Sequence, residues 1–106
     1  MKYMLLICGR PDATETPETP SIESWLDYVE GKRLHGSRMR PITDATTVRS
    51  REGEVLVSDG PFAETTEHVG GYDLIEVDNL DEAIDIASRH PVAHFGSIEI
   101  RPLWEG

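Results

Sequence analysis

The densest run of residues able to do chemistry is Ser58-Asp59-Gly60-Pro61-Phe62-Ala63-Glu64-Thr65-Thr66-Glu67, with His68 directly after it. A carboxylate beside an imidazole supplies both halves of a proton transfer, because the imidazole titrates near neutrality and the carboxylate stays ionised there. Strand alternation puts Val55, Val57 and Asp59 on one face, and Thr47, Arg49 and Arg51 on one face of the neighbouring strand. A register bringing Arg49 to Asp59 would lower the carboxylate pKa and hold it ionised, as a base or as a ligand for a cationic group. A structural salt bridge has the same signature. Asp59-Gly60-Pro61 is equally readable as a plain turn, in which Asp bonds its own backbone, Gly supplies positive φ and Pro sets the next residue. The candidate catalytic set is therefore Asp59, His68 and Arg49, with Gly60, Pro61, Phe62 and Glu64 forming the binding loop.

The remaining histidines are His35, His90 and His94. His35 competes with His68 from the end of the first helix and joins the candidate ligand-binding residues. His90 and His94 have the spacing of a helical metal pair, but Pro91 ends the helix between them and no third ligand is placed by spacing, so no metal site is expected. His90 reads instead as a cation at the C-terminal end of the second helix, where the dipole favours it. Ser58 and Cys8 would be nucleophiles only with an adjacent base, which the sequence does not show. No cofactor is implied.

These groups must be positioned by a short chain of 106 residues, the usual size of one domain, here taken as residues 1–106. Its formal charge of −10 opposes phosphate backbones, so direct nucleic-acid binding is not expected. The acidic residues are scattered, as on a solvated surface. A lone cysteine forms no internal bridge and suits a reducing compartment, and Cys8 reads as a small buried hydrophobe. No apolar run approaches membrane-spanning length and Gly9-Arg10-Pro11-Asp12 offers no signal-peptide cleavage site. The expected location is the cytoplasm, without membrane contact.

Tyr3 to Cys8 is a continuous apolar run without helical spacing, which predicts a central strand covered on both faces. Residues 10–20, rich in Thr, Glu and Pro, predict a mobile loop. Thr19-Pro20 then predicts a cap and first turn, followed by the helical stripe Ile22, Trp25, Leu26 and Val29, with the helix running to about Leu34. Gly36 and Pro41 mark an irregular link. Thr46 to Arg51 and Glu54 to Ser58 flank Glu52-Gly53, the signature of a tight hairpin. Gly71 to Val77 predicts a strand with Tyr72, Leu74 and Glu76 on one face and Asp73, Ile75 and Val77 on the other. Asp78 or Asn79 caps a second helix with Leu80, Ala83, Ile84 and Ala87 inward, stopped by Pro91. Ser97 to Arg101 alternates as a final strand.

The expected order is β-α-β-β-β-α-β, an α+β fold with a ferredoxin-like antiparallel sheet and two helices on one face. Leu5 and Leu6 point to opposite faces, as do Leu74 and Ile75, and two helices can cover only one of them. A homodimer burying the second face is the expected solution.

The Asp59-Gly60-Pro61-Phe62 signature and the Glu-rich turn after it are followed by Gly70-Gly71-Tyr72 and Ile98-Glu99-Ile100-Arg101-Pro102. Together with Thr47-Val48-Arg49 and the helix from Leu80 to Pro91, they resemble the branch of the YCII-related family marked by Asp-Gly-Pro-Phe. The resemblance runs from Gly31 through Leu103 and implies a ferredoxin-like dimeric α/β-barrel. Family members commonly carry Lys where this chain has Thr66, and shorter members pair a helix-one His with an Asp, whereas here no His precedes His35. Two functions are compatible with these observations. One is an acid/base enzyme on a small polar molecule; the other is a non-enzymatic sensing or accessory module, since the resemblance implies a link to extracytoplasmic-function sigma factors.

Overall fold

The computed structural model describes residues 1–10, 12–60 and 67–105. Among them the chain forms β1 (Lys2–Gly9), α1 (Ile22–Tyr28), β2 (Arg33–Arg38), β3 (Thr46–Arg51), β4 (Glu54–Asp59), β5 (His68–Glu76), α2 (Leu80–Ser88) and β6 (Ser97–Pro102). A four-stranded antiparallel sheet has the order β2-β5-β1-β6, and β3-β4 is a separate two-stranded ribbon. The α+β class holds, and the four-stranded sheet is consistent with a ferredoxin-like fold. One strand more is present than the sequence predicts, and the hairpin stands outside the main sheet instead of in it.

The extra strand comes from a helix shorter than predicted. Ser21 caps α1, its hydroxyl accepting the Ser24 N–H at 3.1 Å, in place of the expected Thr19-Pro20 start. After Tyr28 the chain turns at Gly31, whose φ of +85° a residue with a Cβ rarely adopts, and the N–H groups of Lys32 and Arg33 both close back on the Val29 carbonyl. Arg33–Arg38 is then free to pair with β5, where the sequence predicts helix end and link. Apart from Leu34 and Gly36 its residues are polar or charged, as suits an edge strand.

Parity along the strands separates two faces. Tyr3, Leu5, Ile75 and Val77 turn toward the helices and pack with Trp25 of α1, Val29 at its C-cap, and Ala83 and Ile86 of α2, all buried. Both helices therefore cover one face, as expected. Of the predicted α1 stripe, Trp25 and Val29 are buried while Ile22 and Leu26 stay exposed, because a helix this short turns little of its circumference inward. In α2, Ala83 and Ala87 are inward as predicted, Leu80 and Ile84 are exposed, and Ile86 takes the inner place. Asn79 caps α2, its side chain accepting the Glu82 N–H at 2.9 Å, while the Glu82 carboxylate reaches back to the Asp78 N–H. Met4, Leu6, Tyr72 and Leu74 occupy the opposite, open face, half-buried within the single chain. The molecule is flat, 46 × 41 × 17 Å, consistent with one sheet layer under one helix layer. Among the described residues no helix is long and apolar enough to cross a membrane.

His90 is not the solvated helix-end cation that the sequence suggests. It is buried, and its Nδ1 accepts the Val92 N–H at 3.0 Å, capping the short 3-10 turn Pro91–His94. The imidazole meets the Trp25 ring edge-on, with centroids 4.6 Å apart. Burial pushes its pKa down from 6.5 to about 4. An acceptor at Nδ1 must be unprotonated, so the bond and the burial both require the neutral ring. Above about pH 6.5 the folded and unfolded chains are both neutral here, and between about 6.5 and about 4 only the unfolded chain takes up the proton. Across that window stability should fall by about 1.4 kcal/mol per pH unit on account of this group. Urea unfolding over this range should show the slope in the unmodified protein and a flatter one in His90→Asn, which keeps a capping oxygen but does not titrate.

Candidate functional site

The hairpin is built as its sequence predicts. Glu52 and Gly53 both adopt positive φ, 51° and 82°, and the ribbon twist of an antiparallel pair favours such a turn. The ladder pairs Thr46 with Asp59, Val48 with Val57 and Arg49 with Leu56. Directly paired residues share a face, so Val48, Val55, Val57 and Asp59 lie on one side and Thr47, Arg49 and Leu56 on the other. The condition for an Arg49–Asp59 contact is thus not met by the ladder, which puts the two on opposite faces and three rungs apart. The valine side is fully open, with Val48, Val55 and Val57 all more than 60% exposed.

At the base of the ribbon the turn is held by backbone and threonine. The Gly60 N–H donates to the Ala45 carbonyl at 2.7 Å, and the Thr47 hydroxyl donates to the Gly60 carbonyl at 2.7 Å. Among the described residues the exposed Asp59 carboxylate has no hydrogen-bond or ion-pair partner. Asp59 and Gly60 stand where the chain leaves the ribbon, and His68 stands at the start of β5, opposite Gly9. The signature segment thus begins at one of these residues and ends at the other. Pro61, Phe62 and Glu64 lie outside the described residues. Glu67 accepts a hydrogen bond from the Ser97 hydroxyl at 2.9 Å.

His35 falls on β2, not at a helix end, and its Nδ1 lies 2.8 Å from the Tyr72 hydroxyl, with the rings 5.6 Å apart. Both residues belong to the open face of the sheet. Cys8 also faces that side, half-buried; burial first, and then the charges of Glu99 and Glu67, push its pKa up, so the thiol is held protonated and is a poor nucleophile. Among the described residues no three of His, Cys, Asp and Glu come together as a metal set.

The pair that sequence reasoning passed over lies on the helix side. Arg33 Nε donates to Asp73 Oδ1 at 2.7 Å, and Asp73 is only 6% exposed. Burial pushes the Asp73 carboxyl up, against the opposing pull of the Arg33 bond and charge. A signal for it existed. Asp73 shares its strand face with Ile75 and Val77, and a carboxylate at such an inward position needs a partner. The partner is hidden in the sequence because the helical pattern runs on to about Leu34 and takes in Arg33.

The family model of the YCII-related domain matches residues 1–105. The uncharacterized protein R00369 of Rhizobium meliloti (strain 1021) is 47% identical over 79 residues, covering 72% of this chain and 64% of that protein. The chain thus spans a little under two thirds of its relative's length.

Gly36 makes room for the Arg33–Asp73 pair. A Cβ there would fall 2.0 Å from Asp73 Oδ1 and 2.4 Å from Arg33 Nη2, both held in the ion pair. Gly36→Ala should part the two charges and destabilise the fold by about 2 kcal/mol, less than a fully buried pair would lose because Arg33 is partly solvated. Gly9→Ala, in open space by the same geometry, serves as the control in chemical denaturation.

Proposed function

The chain belongs to the YCII-related family, and from that premise we propose that it works as a two-fold homodimer that binds a small polar molecule at Asp59. The carrying observation is the Asp59 carboxylate, exposed at the end of a structured ribbon and without a partner among the described residues. At the described end of the ribbon the hydrogen bonds are made by Gly60 and Thr47, not by the Asp59 side chain. A carboxylate so placed accepts hydrogen bonds from an ammonium or hydroxyl group, or takes a proton from it. His68, at the other end of the same segment, is the second proton carrier in this reading. The chemistry is acid/base chemistry on a ligand that neither residue holds covalently.

The dimer half of the proposal rests on the open sheet face. Met4, Leu6, Tyr72 and Leu74 form a continuous apolar strip across β1 and β5, and covering it with the same strip of a second copy gives an isologous interface. This is the route to the dimeric α/β-barrel that the resemblance implies.

Asp59→Asn should leave stability within about 0.5 kcal/mol, as expected for an exposed side chain without partners. The same variant should lose the thermal shifts that a panel of small amines and polyols induces in the unmodified protein. Equal shifts in both proteins would remove Asp59 from the site. Strand parity likewise separates two neighbouring leucines. Leu6→Glu should stay folded and sediment as a monomer at micromolar concentration, since it places like charges near the two-fold axis. Leu5→Glu buries an unpaired charge beside Trp25 and Ile75 and should unfold. A monomeric unmodified protein would end the dimer reading.

A further inference from the structure

We propose that the groove between α1 and the C-terminal end of α2, far along the chain from the signature segment, binds a small organic carboxylate. The groove has a volume of about 380 Å³, within the range of roughly 300–1,000 Å³ common for small-molecule sites. Its apolar walls are Pro20, Trp25 and Tyr28. Trp25 is anchored by its indole N–H, which donates to the Ile86 carbonyl at 2.9 Å, so the ring is a fixed wall.

The polar groups of the groove are set for an anion. Arg89 Nε donates to Asp85 Oδ1 at 3.1 Å, and its guanidinium carbon stands 4.3 Å over the Tyr28 ring. The Tyr28 hydroxyl donates to the other oxygen of the same carboxylate. Asp85, held below the usual carboxylate range first by Tyr28 and then by Arg89, therefore clamps both partners. This clamp fixes the guanidinium plane against the aromatic ring while using only its Nε. Among the described residues the terminal nitrogens of Arg89 have no hydrogen-bond partner, and neither has the imidazole of His94, which lines the same groove. Ser24 accepts the Ser21 hydroxyl at 2.9 Å, which leaves its own proton free to donate.

Three donors lining one groove, with the Arg89 fork held by Asp85, match a carboxylate whose flat apolar body lies against Pro20 and Tyr28. A planar guanidinium fork binds carboxylates bidentately, and its preorganisation lessens the ordering that binding requires. The net charge of −10 and the nearby Asp85 disfavour polyanions, which selects a single carboxylate over a phosphate ester.

Benzoate is a suitable probe and benzamide its neutral isostere. Titrated into the full-length protein and followed by the Trp25 indole and Arg89 Nε resonances in 1H–15N spectra, benzoate should give saturable shifts. Benzamide should bind at least tenfold more weakly. Arg89→Gln, an exposed position whose change leaves the remaining spectrum in place, should lose the benzoate response, and His94→Gln should weaken it. Asp59→Asn should respond like the unmodified protein. Equal binding of benzamide would overturn the anionic chemistry, and benzoate shifts that survive in Arg89→Gln, or no shift at millimolar benzoate, would overturn the site.

Discussion

Strand β1 is hydrogen-bonded along both edges, to β5 and to β6, so each of its side chains has only two directions available. That constraint organises the molecule. Tyr3 and Leu5 go to the helix side, where Trp25, Val29, Ala83 and Ile86 meet them, and Met4, Leu6 and Cys8 go to the other. The ladder carries the same division to β5, because paired residues share a face, and then to β2, whose Gly36 and His35 end on opposite sides. Slipping the pairing by one residue would exchange the faces and expose Leu5 and Ile75 to water, so the register is strongly determined.

From that sheet the polar groups take distinct roles. On the helix side the unavoidable burial of Asp73 is compensated by Arg33, and Gly36 has no side chain because the pair occupies that space. His90 is buried in the neutral form, joining the end of α2 to Trp25 of α1 through a ring contact and a capped turn. Both are groups that hold elements together. Their perturbed titration is accounted for by packing alone, which is why neither is placed in the proposed site.

Asp59 is the contrasting case. It lies in a ribbon with few demands on it: the turn bonds are made by Gly60 and Thr47, and β4 is exposed along its length. A charged side chain that bonds to no other described residue is available for a ligand. The same reasoning applies to the free terminal nitrogens of Arg89, except that there a neighbouring carboxylate and ring also fix the orientation.

What the sequence determined by itself is whatever local chemistry decides. The hairpin was legible in Glu52-Gly53, α2 in Asn79 and the inward alanines, β1 in its continuous apolar run, β5 in the apolar groups on both its faces, and the family in the Asp-Gly-Pro-Phe signature with its neighbours. Tertiary structure decided the rest. Arg33–Arg38 has no strand pattern of its own and became a strand because β5 offered an unpaired edge. The opposite faces of Arg49 and Asp59 follow already from the two-residue turn, which sets Arg51 against Glu54, whereas the separation of the β3-β4 ribbon from the main sheet depends on which distant edges pair. His90 looked like a surface cation because helix-end position is a local property, whereas its burial against Trp25 depends on a residue 65 positions away in the chain.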